Sequence, residues 1–197
     1  MFTGIVEEIA IVKNIVREQE NIHLTVSCSF VHELKVDQSV LHNGICLTVV
    51  AIEDETFTVT AIKETIDVTT IGQWVIGQEI NIERGMLANA RLDGHIVQGH
   101  VDAVGRCVSI KDAAGSTYYG FEYDQKVKHT TISKGSITID GTSLTVVNSG
   151  VNTFSVAIIP YTKEHTVFKH YTLGQFVNLE FDVIGKYVEK LLQIRTS

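Results

Sequence analysis

Two matching segments, residues 39–50 and 136–147, carry the side chains best suited to hold a polar small molecule. Each has a serine, then an Asn-Gly or Asp-Gly turn, and then Cys-Leu-Thr or Ser-Leu-Thr. Such a corner presents hydroxyl or thiol groups beside backbone N–H and C=O groups, which suit the edge of a heterocycle or a polyol chain. The same residues are also ordinary strand and turn residues, so both interpretations stay open.

The differences between the two segments indicate where a catalytic site could arise. Cys46 stands where the second segment has Ser143. As a nucleophile this thiol needs a lowered pKa and a neighbouring base. As a small buried residue it needs neither. The sequence favours the structural interpretation and leaves the chemical one open.

Two histidines, His95 and His100, lie in the segment Gly94–Asp102 and have no counterpart in Thr3–Glu7, near the start of the chain. Either imidazole could transfer protons near neutral pH, or fill an ordinary surface or core position. Their spacing of five places them on opposite faces of a strand, which argues against a metal site formed by the pair. The sequence has no phosphate loop, GxSxG elbow or HExxH motif.

These segments belong to an internal repeat. Residues 31–83 align without a gap on residues 128–180, and 17 of the 53 positions are identical. Gly4–Glu7 matches Gly99–Asp102 at a shift of 95, so the second copy carries two extra residues in an early loop near Ala114-Gly115. A period of this length is the size of a small domain rather than of a solenoid repeat of ~20–50 residues. The sequence therefore predicts two similar domains, 1–88 and 89–183, followed by segment 184–197.

Alternation at period two and frequent turns predict an all-β fold of two tandem, similar, six-stranded Greek-key barrels plus a C-terminal α-helix. The predicted strands are 22–26, 46–50, 56–62, 79–83, 119–123, 143–147, 153–159 and 176–180. Short helical turns are predicted at 30–34 and 127–131.

The predicted C-terminal helix places Ile184, Val188, Leu191 and Ile194 on one apolar stripe. The stripe could pack against its own domain or form a seam between chains.

Composition limits the function classes. The net charge of −7 and the lack of a Lys/Arg cluster argue against a nucleic-acid surface. No apolar run reaches the ~18–20 residues of a membrane span, and the N-terminal residues do not form a secretion signal. Three cysteines without CxxC spacing predict reduced thiols. We therefore expect a cytoplasmic protein that contacts neither nucleic acid nor membrane.

Nearly the whole chain resembles the riboflavin synthase alpha-chain family. The matching motifs, taken together, are highly specific, and they follow one another in order and at the family's repeat period. They are Met1–Glu7, His42–Val49, Lys63–Thr65, Asn81–Arg84, Gly94–Asp102, Asp140–Val146, Ile159–Thr162 and Asn178–Asp182.

The resemblance implies an activity and an assembly. Two molecules of 6,7-dimethyl-8-ribityllumazine would exchange a four-carbon unit to give riboflavin and 5-amino-6-(D-ribitylamino)uracil, with no cofactor or metal. The C-terminal helix would gather three chains into a homotrimer, and each working site would form between the first barrel of one chain and the second barrel of its neighbour. The resemblance leaves open whether lumazine synthase is a further partner.

The resemblance also implies the site residues. The catalytic group would comprise His100, Cys46, Ser39 and Asp182, with Ser39 and Asp182 approaching each other across the subunit boundary. The substrate-binding residues would be Phe2, Thr3, Gly4, Ile5, Thr48, Glu64, Thr65, His95, Gly99, Val101, Lys134, Ser136, Asp140, Gly141, Ser143, Thr145, Ile159, Pro160 and Thr162. Ile45 and Thr60 depart from some members, which have a second cysteine and an acidic residue there.

Two other functions are weighed against the enzyme. A non-enzymatic lumazine- or flavin-binding antenna protein could use the same duplicated barrels. The Cys46–Thr48 motif, the two histidines of Gly94–Asp102 and the apolar C-terminal stripe favour the enzyme. A flavin-binding reductase barrel would need a nicotinamide-binding domain, which we do not expect in this sequence.

Overall fold

The structure is a computed structural model that describes residues 1–196, in which two closed antiparallel barrels of six strands follow one another. The first barrel contains β1 (Glu8–Glu18), β2 (Asn21–Ser27), β3 (Ser39–His42), β4 (Ile45–Glu53), β5 (Thr56–Ala61) and β6 (Glu79–Arg84). The second contains β7 (Ala103–Ala113), β8 (Ser116–Tyr123), β9 (Ser136–Ile139), β10 (Thr142–Ser149), β11 (Thr153–Ile158) and β12 (Phe176–Phe181). The strand order β1-β2-β5-β4-β3-β6 recurs in the second barrel, which confirms the predicted fold class.

In the described part of the chain, three α-helices accompany the strands: α1 (Lys63–Val68), α2 (Pro160–Glu164) and α3 (Val183–Thr196). Pro160 occupies the first turn of α2, where a missing N–H costs little. The predicted helical turn at 30–34 is confirmed by a 3-10 turn at Val31–Glu33. The predicted helix at 184–197 corresponds to α3, although Ser197 lies outside the described residues.

The predicted helical turn at 127–131 is wrong. The chain turns at residues 125–126 and then runs without helical structure. The Thr131 hydroxyl lies 2.8 Å from the Ser149 hydroxyl, and the His129 ring lies 3.1 Å from the Glu189 carboxylate. These contacts with β10 and α3 hold the segment away from helical geometry.

The two cores use different side chains on the same scaffold. Inward-facing positions of β2 are aliphatic, namely Ile22, Leu24 and Val26. The positions of β8 that pack into the second core are aromatic and include Phe121 and Tyr123. Each fully buried side chain of this size stabilises the fold by about 1.5–3 kcal/mol.

Matching bulges bend the long strands of both barrels. The register of β4 against β5 shifts between Val49 and Ala51, and that of β10 against β11 shifts between Val146 and Asn148. A bulge increases local twist and bends a strand, as closure of a small barrel requires. The strand pairs that carry the candidate pocket residues are therefore shaped alike in both halves.

The barrels meet at an approximate twofold axis between two equivalent turns. The Asn81 side-chain amide donates to the Asp140 carbonyl at 2.8 Å, and the Asn178 amide donates to the Asn43 carbonyl at 2.8 Å. Gly44, at φ +81°, lies so close to the second barrel that a Cβ there would sit 2.9 Å from a backbone nitrogen. These reciprocal bonds fix the orientation of one barrel against the other.

Helix α3 is attached by polar contacts and leaves its apolar stripe in solvent. The Lys186 ammonium lies 2.6 Å from Asp102, and Glu189 contacts His129. The stripe residues are 51–63% exposed: Ile184, Val188, Leu191 and Ile194. In the single chain, the stripe therefore does not pack against its own domain. Within residues 1–196, no helix is long and apolar enough to cross a membrane.

Candidate active site

The first pocket face lies on β3 and β4, outside the core of the first barrel. Ser39 pairs with Thr48 across the strands, and the Ser39 hydroxyl hydrogen-bonds the Cys46 thiol. The Cys46 N–H donates to the Gly99 carbonyl at 2.9 Å, so the segment between the barrels lies against this face. The register of the two strands brings Ser39, Cys46 and Thr48 together, and the segment between the barrels adds Gly99, so four sequence-predicted residues meet here.

The Cys46 side chain is a neutral thiol. Partial burial raises its pKa, and the Ser39 hydroxyl and the N-terminal ammonium oppose that shift only in part. Nucleophilic cysteines need the opposite change, because the thiolate is the reactive form. The environment thus suits hydrogen bonding and packing rather than nucleophilic attack.

The residues around this thiol are open to solvent on one side. His100 follows Gly99 and is exposed, and the structure gives it no hydrogen bond or ion pair within residues 1–196. Val101 packs against the first core, whereas Thr48 is exposed. Helix α1, which carries Glu64 and Thr65, follows β5, the strand that pairs with β4. Thr48, at the edge of this face, is therefore accessible from solvent in the single chain.

The second pocket face has the same construction with different side chains. The Ser143 hydroxyl lies 2.7 Å from Nδ1 of His95, and Nε2 of that ring lies 3.2 Å from the Thr138 hydroxyl. The Ser143 N–H donates to the Gly4 carbonyl at 2.7 Å. Ser143 thus makes the same backbone contact as Cys46, with the chain start in place of the segment between the barrels.

The His95 imidazole is held neutral. Burial lowers its pKa, and the negative charge of Asp182 opposes that shift only in part. Both ring nitrogens have hydroxyl partners. A ring held at both nitrogens orients its neighbours more readily than it moves protons.

A cavity of about 490 Å³ lies beside the second face. Its lining includes Gly4, Ile5, Ser143, Tyr161 and Thr162. Four of these were expected from the sequence, and Tyr161 was not. Its ring stacks on His165 with the centroids 4.0 Å apart.

Four other residues predicted for the second face lie on β9, on β10 and where α2 begins. Ser136 pairs with Thr145 at the start of β9. Ile159 and Pro160 are exposed where α2 begins.

Phe2 and Thr3 lie between the two faces. Phe2 is fully buried in a small apolar cluster with Leu41 and Val97. Thr3 donates through both its N–H and its hydroxyl to the Glu83 carboxylate at 2.7 Å. The chain start is therefore built into the fold.

Four further predicted residues lie in the junction between the barrels, ahead of β9, or at the start of α3. Asp140 and Gly141 are buried in the junction between the barrels, where Asp140 accepts the Asn178 N–H at 2.8 Å. Lys134 is exposed at φ 67°, ahead of β9. Asp182 accepts the Ile184 N–H at 3.0 Å at the start of α3. Within one chain, Ser39 and Asp182 belong to different barrels.

Sequence reasoning missed two buried carboxylates, Glu83 and Glu180, that hold the segments crossing the pocket faces. Glu180 accepts the Gln98 and Gly99 N–H groups at 2.7 and 2.9 Å. Glu83 and Glu180 occupy the same position in the two copies of the repeat. A buried charge kept in both copies was the available signal, because such a group requires partners.

Within residues 1–196, no group of three or more His, Cys, Asp or Glu side chains is placed to hold a metal ion. All three cysteines in this range are free.

Known structures share this fold. LumP complexed with riboflavin superposes with a TM-score of 0.84 at 20% identity, over 91% of this chain and 98% of that one. LumP complexed with 6,7-dimethyl-8-(1'-D-ribityl) lumazine also gives 0.84 at 20% identity, over 92% and 99%. At this identity the likeness shows the fold alone.

Sequence relatives identify the family. A family model described as a lumazine binding domain matches residues 3–85 and again residues 98–182. Riboflavin synthase of Bacillus subtilis is 37% identical over 193 residues, which cover 98% of this chain and 90% of the relative. That of Actinobacillus pleuropneumoniae is 39% identical with the same coverage, and that of Mycobacterium tuberculosis is 39% identical over 98% of both chains. With two lumazine binding domains and full-length relatives at this identity, the chain belongs to the riboflavin synthase family.

Proposed function

We propose that this chain is a riboflavin synthase that converts two molecules of 6,7-dimethyl-8-ribityllumazine into riboflavin and 5-amino-6-(D-ribitylamino)uracil. The observation that carries the proposal is the pair of equivalent pocket faces, centred on Cys46 and Ser143. Each has a backbone N–H bonded to a glycine carbonyl of a crossing segment. Two similar faces suit two molecules of one substrate, and their different side chains suit different roles for the two molecules.

The reaction needs little from the protein beyond placement and proton transfer. The C7 methyl group of one lumazine is acidic because the ring delocalises the carbanion, and C7 of the other is electrophilic. Holding two rings face to face in a fixed orientation supplies about 7–11 kcal/mol of the barrier reduction. Proton transfer by a positioned side chain adds roughly 10²–10⁴-fold.

We assign the proton transfer to His100. His100 follows Gly99, whose carbonyl accepts the Cys46 N–H, and its exposed ring has no partner within residues 1–196, so both nitrogens are free to meet substrate. His95 instead orients Ser143 and Thr138, to which its ring is bonded. Cys46 and Ser39 act as a hydrogen-bonded pair that lines the first pocket.

The other expected substrate contacts divide between the two pockets. In or supporting the first pocket these are Phe2, Thr3, Thr48, Glu64, Thr65, Gly99 and Val101. In or supporting the second they are Gly4, Ile5, His95, Lys134, Ser136, Asp140, Gly141, Ser143, Thr145, Ile159, Pro160 and Thr162. The resemblance gives His95 a place near the first pocket, whereas its hydrogen bond to Ser143 supports a place in the second.

The active assembly is a homotrimer joined through α3. The apolar stripe of this helix points into solvent in the single chain, with Val188 and Leu191 51% and 61% exposed. In the trimer, Ser39 of one chain approaches Asp182 of its neighbour, so that a first barrel and a second barrel together hold two lumazines. The functional units are residues 1–88, 89–183 and 184–197.

The deciding experiment incubates the pure protein with 6,7-dimethyl-8-ribityllumazine in the dark, without added cofactor. One mole of riboflavin formed per two moles of lumazine consumed, with or without a chelator, is the expected result. Tight binding with a spectral shift but no riboflavin would instead favour the antenna function. The 20% identity to LumP, against 37–39% to the synthases, favours the enzyme.

We further propose a cytoplasmic location, where the three thiols stay reduced. We also propose that the protein associates with lumazine synthase. Co-sedimentation of the two purified proteins tests this association.

A further inference from the structure

A buried carboxylate in the first barrel anchors the start of the chain. Glu83, on β6, accepts the Thr3 N–H at 2.7 Å, the Thr3 hydroxyl at 2.7 Å and the Gly4 N–H at 2.9 Å. Glu83 is only 5% exposed. Three donors on one carboxylate fix both the position and the direction of the segment.

An equivalent carboxylate in the second barrel anchors the segment between the barrels. Glu180, on β12, accepts the Gln98 N–H at 2.7 Å and the Gly99 N–H at 2.9 Å. This residue is 2% exposed. The arrangement occurs twice in one chain, in halves whose sequences have diverged, so it is not an accident of one loop.

Each anchored segment contacts the pocket face of the opposite barrel. Gly4, held by the first barrel, accepts the N–H of Ser143 in the second barrel. Gly99, held by the second barrel, accepts the N–H of Cys46 in the first barrel. The approach is close, because a Cβ at Gly4 or Gly99 would lie 2.6 or 2.5 Å from the Cβ of the facing Ser143 or Cys46.

We propose that Glu83 and Glu180 are positioning residues that act crosswise. Glu83 of the first barrel fixes the geometry of the second pocket through Gly4 and Ser143. Glu180 of the second barrel sets the first pocket through Gly99 and Cys46. The ligand part of this inference rests on the proposed function, whereas the crossed contacts do not.

A carboxylate is required at these positions because two backbone N–H groups, which can only donate, converge on each side chain. An ionised carboxylate offers two acceptor oxygens, whereas glutamine offers one oxygen and an NH₂ group. In Glu83→Gln or Glu180→Gln, one segment N–H would therefore lose its acceptor and face another donor. The segment would shift, and the facing N–H of the opposite barrel would lose its partner.

The first test follows amide hydrogen exchange at Ser143 and Cys46, which needs no ligand. Glu83→Gln should speed exchange at Ser143 about tenfold and leave Cys46 within about twofold, as expected for loss of one hydrogen bond. Glu180→Gln should give the reverse pattern. Glu122→Gln, at an exposed carboxylate paired with Arg106 at 3.1 Å, is the matched control and should change neither amide.

The second test measures riboflavin binding with one pocket blocked. Thr48→Trp blocks the first pocket and Thr145→Trp blocks the second. Glu83→Gln should weaken the remaining second pocket about tenfold and the remaining first pocket by less than about twofold. Glu180→Gln should show the opposite preference. A merely structural role for either glutamate would weaken its own barrel's pocket at least as much as the other.

Gly4→Ala and Gly99→Ala keep the test decisive if a glutamine variant does not fold. Both glycines have positive φ, 76° and 78°, and face the opposite barrel. They should give the same crossed exchange pattern, Gly4→Ala at Ser143 and Gly99→Ala at Cys46.

Exchange that changes in the same barrel as the substitution, or equally in both barrels, would overturn the crossed assignment. A wild-type protein that makes no riboflavin would overturn the proposed function alone. The crossed contacts would still be tested by hydrogen exchange, which needs no ligand.

Discussion

The Tyr171 hydroxyl donates a 2.5 Å hydrogen bond to the Asp140 carboxylate inside the junction between the barrels. The first barrel has Asn43 and Trp74 at the two equivalent positions. The approximate twofold axis therefore relates an ionisable pair to a neutral one. Burial raises the pKa of Asp140 to about 7, although the bonds from Tyr171 and the Asn178 N–H oppose the shift.

Asp140 should make the protein less stable as the pH rises toward neutral. Its carboxyl binds a proton more tightly in the folded state, where the pKa is about 7, than at the ordinary value of 3.8. The free energy of unfolding should therefore fall between about pH 4 and 7, by on the order of 3 kcal/mol from this group. Asp140→Asn keeps an acceptor for the Asn178 N–H, as Asn43 does for Asn81. Urea unfolding of the variant should lack this decline, and an unchanged decline would contradict the assignment.

His42 should make the protein less stable as the pH falls, which is the opposite pH dependence from that of Asp140. Its ring is fully buried, Nδ1 lies 3.0 Å from the Val40 carbonyl, and Nε2 is the one buried side-chain nitrogen or oxygen without a partner within residues 1–196. Burial lowers its pKa to about 4. The unfolded chain takes up the proton first, so stability should be present above about pH 6.5 and be lost as the pH falls toward 4.

The second barrel suggests the variant for this test, because Ile139 stands at the position of His42. His42→Ile removes the unpartnered nitrogen and should stabilise the protein more at pH 4.5 than at pH 8, by on the order of 2 kcal/mol. Urea unfolding at both pH values measures the difference. His32→Ala, at an exposed ring, is the control. Equal gains at both pH values would show that His42 does not titrate in this range.

Local patterns predict the barrels well because strand alternation and turn residues are encoded within a few positions. Glu79–Glu83 was predicted as a strand and is observed as Glu79–Arg84. Helices α1 and α2 escape such patterns, because five or six residues are too few to form an apolar stripe.

The crosswise contacts could not be predicted from local patterns, since they join backbone groups that every residue carries. The Ser143 N–H meets the Gly4 carbonyl only once both barrels have closed and docked. The repeat does mark Glu83 and Glu180 as identical, but it does not say which barrel each one serves. That information resides in the relative orientation of the two barrels.

His100 should affect turnover more than affinity. Its exposed ring has no structural partner within residues 1–196, so His100→Ala should leave the fold and ligand binding nearly intact. We expect kcat for riboflavin formation to fall about 10²-fold or more, and KM to change by less than about threefold. His95→Gln is the contrasting variant, because loss of the bonds to Ser143 and Thr138 should weaken binding. Equal losses in kcat and affinity for His100→Ala would remove it from the catalytic role.

Two inactive variants should restore activity when mixed. A site shared between chains takes Ser39 from one chain and Asp182 from its neighbour. A mixed trimer of Ser39→Ala and Asp182→Asn chains therefore regains intact sites. Asp182→Asn is chosen because its amide oxygen can still accept the Ile184 N–H at the start of α3. Riboflavin formation should recover after the variants are unfolded and refolded together, and not after they are refolded separately. Persistent inactivity of the mixture would argue that each site lies within one chain.

The exposed stripe of α3 should decide the oligomeric state. Val188 and Leu191 are exposed in the single chain, and three such stripes together can bury their apolar surface in a helical bundle. Leu191→Lys places charges in that bundle and should shift sedimentation from trimer to monomer. Lys190→Ala, at an exposed position next to the stripe residue, is the control and should remain trimeric. The monomer should keep both barrels, because within residues 1–196 neither buried core includes a residue of α3. It should lose riboflavin formation, because Ser39 and Asp182 lie on different barrels. A fully active monomer would show that the two faces of one chain suffice.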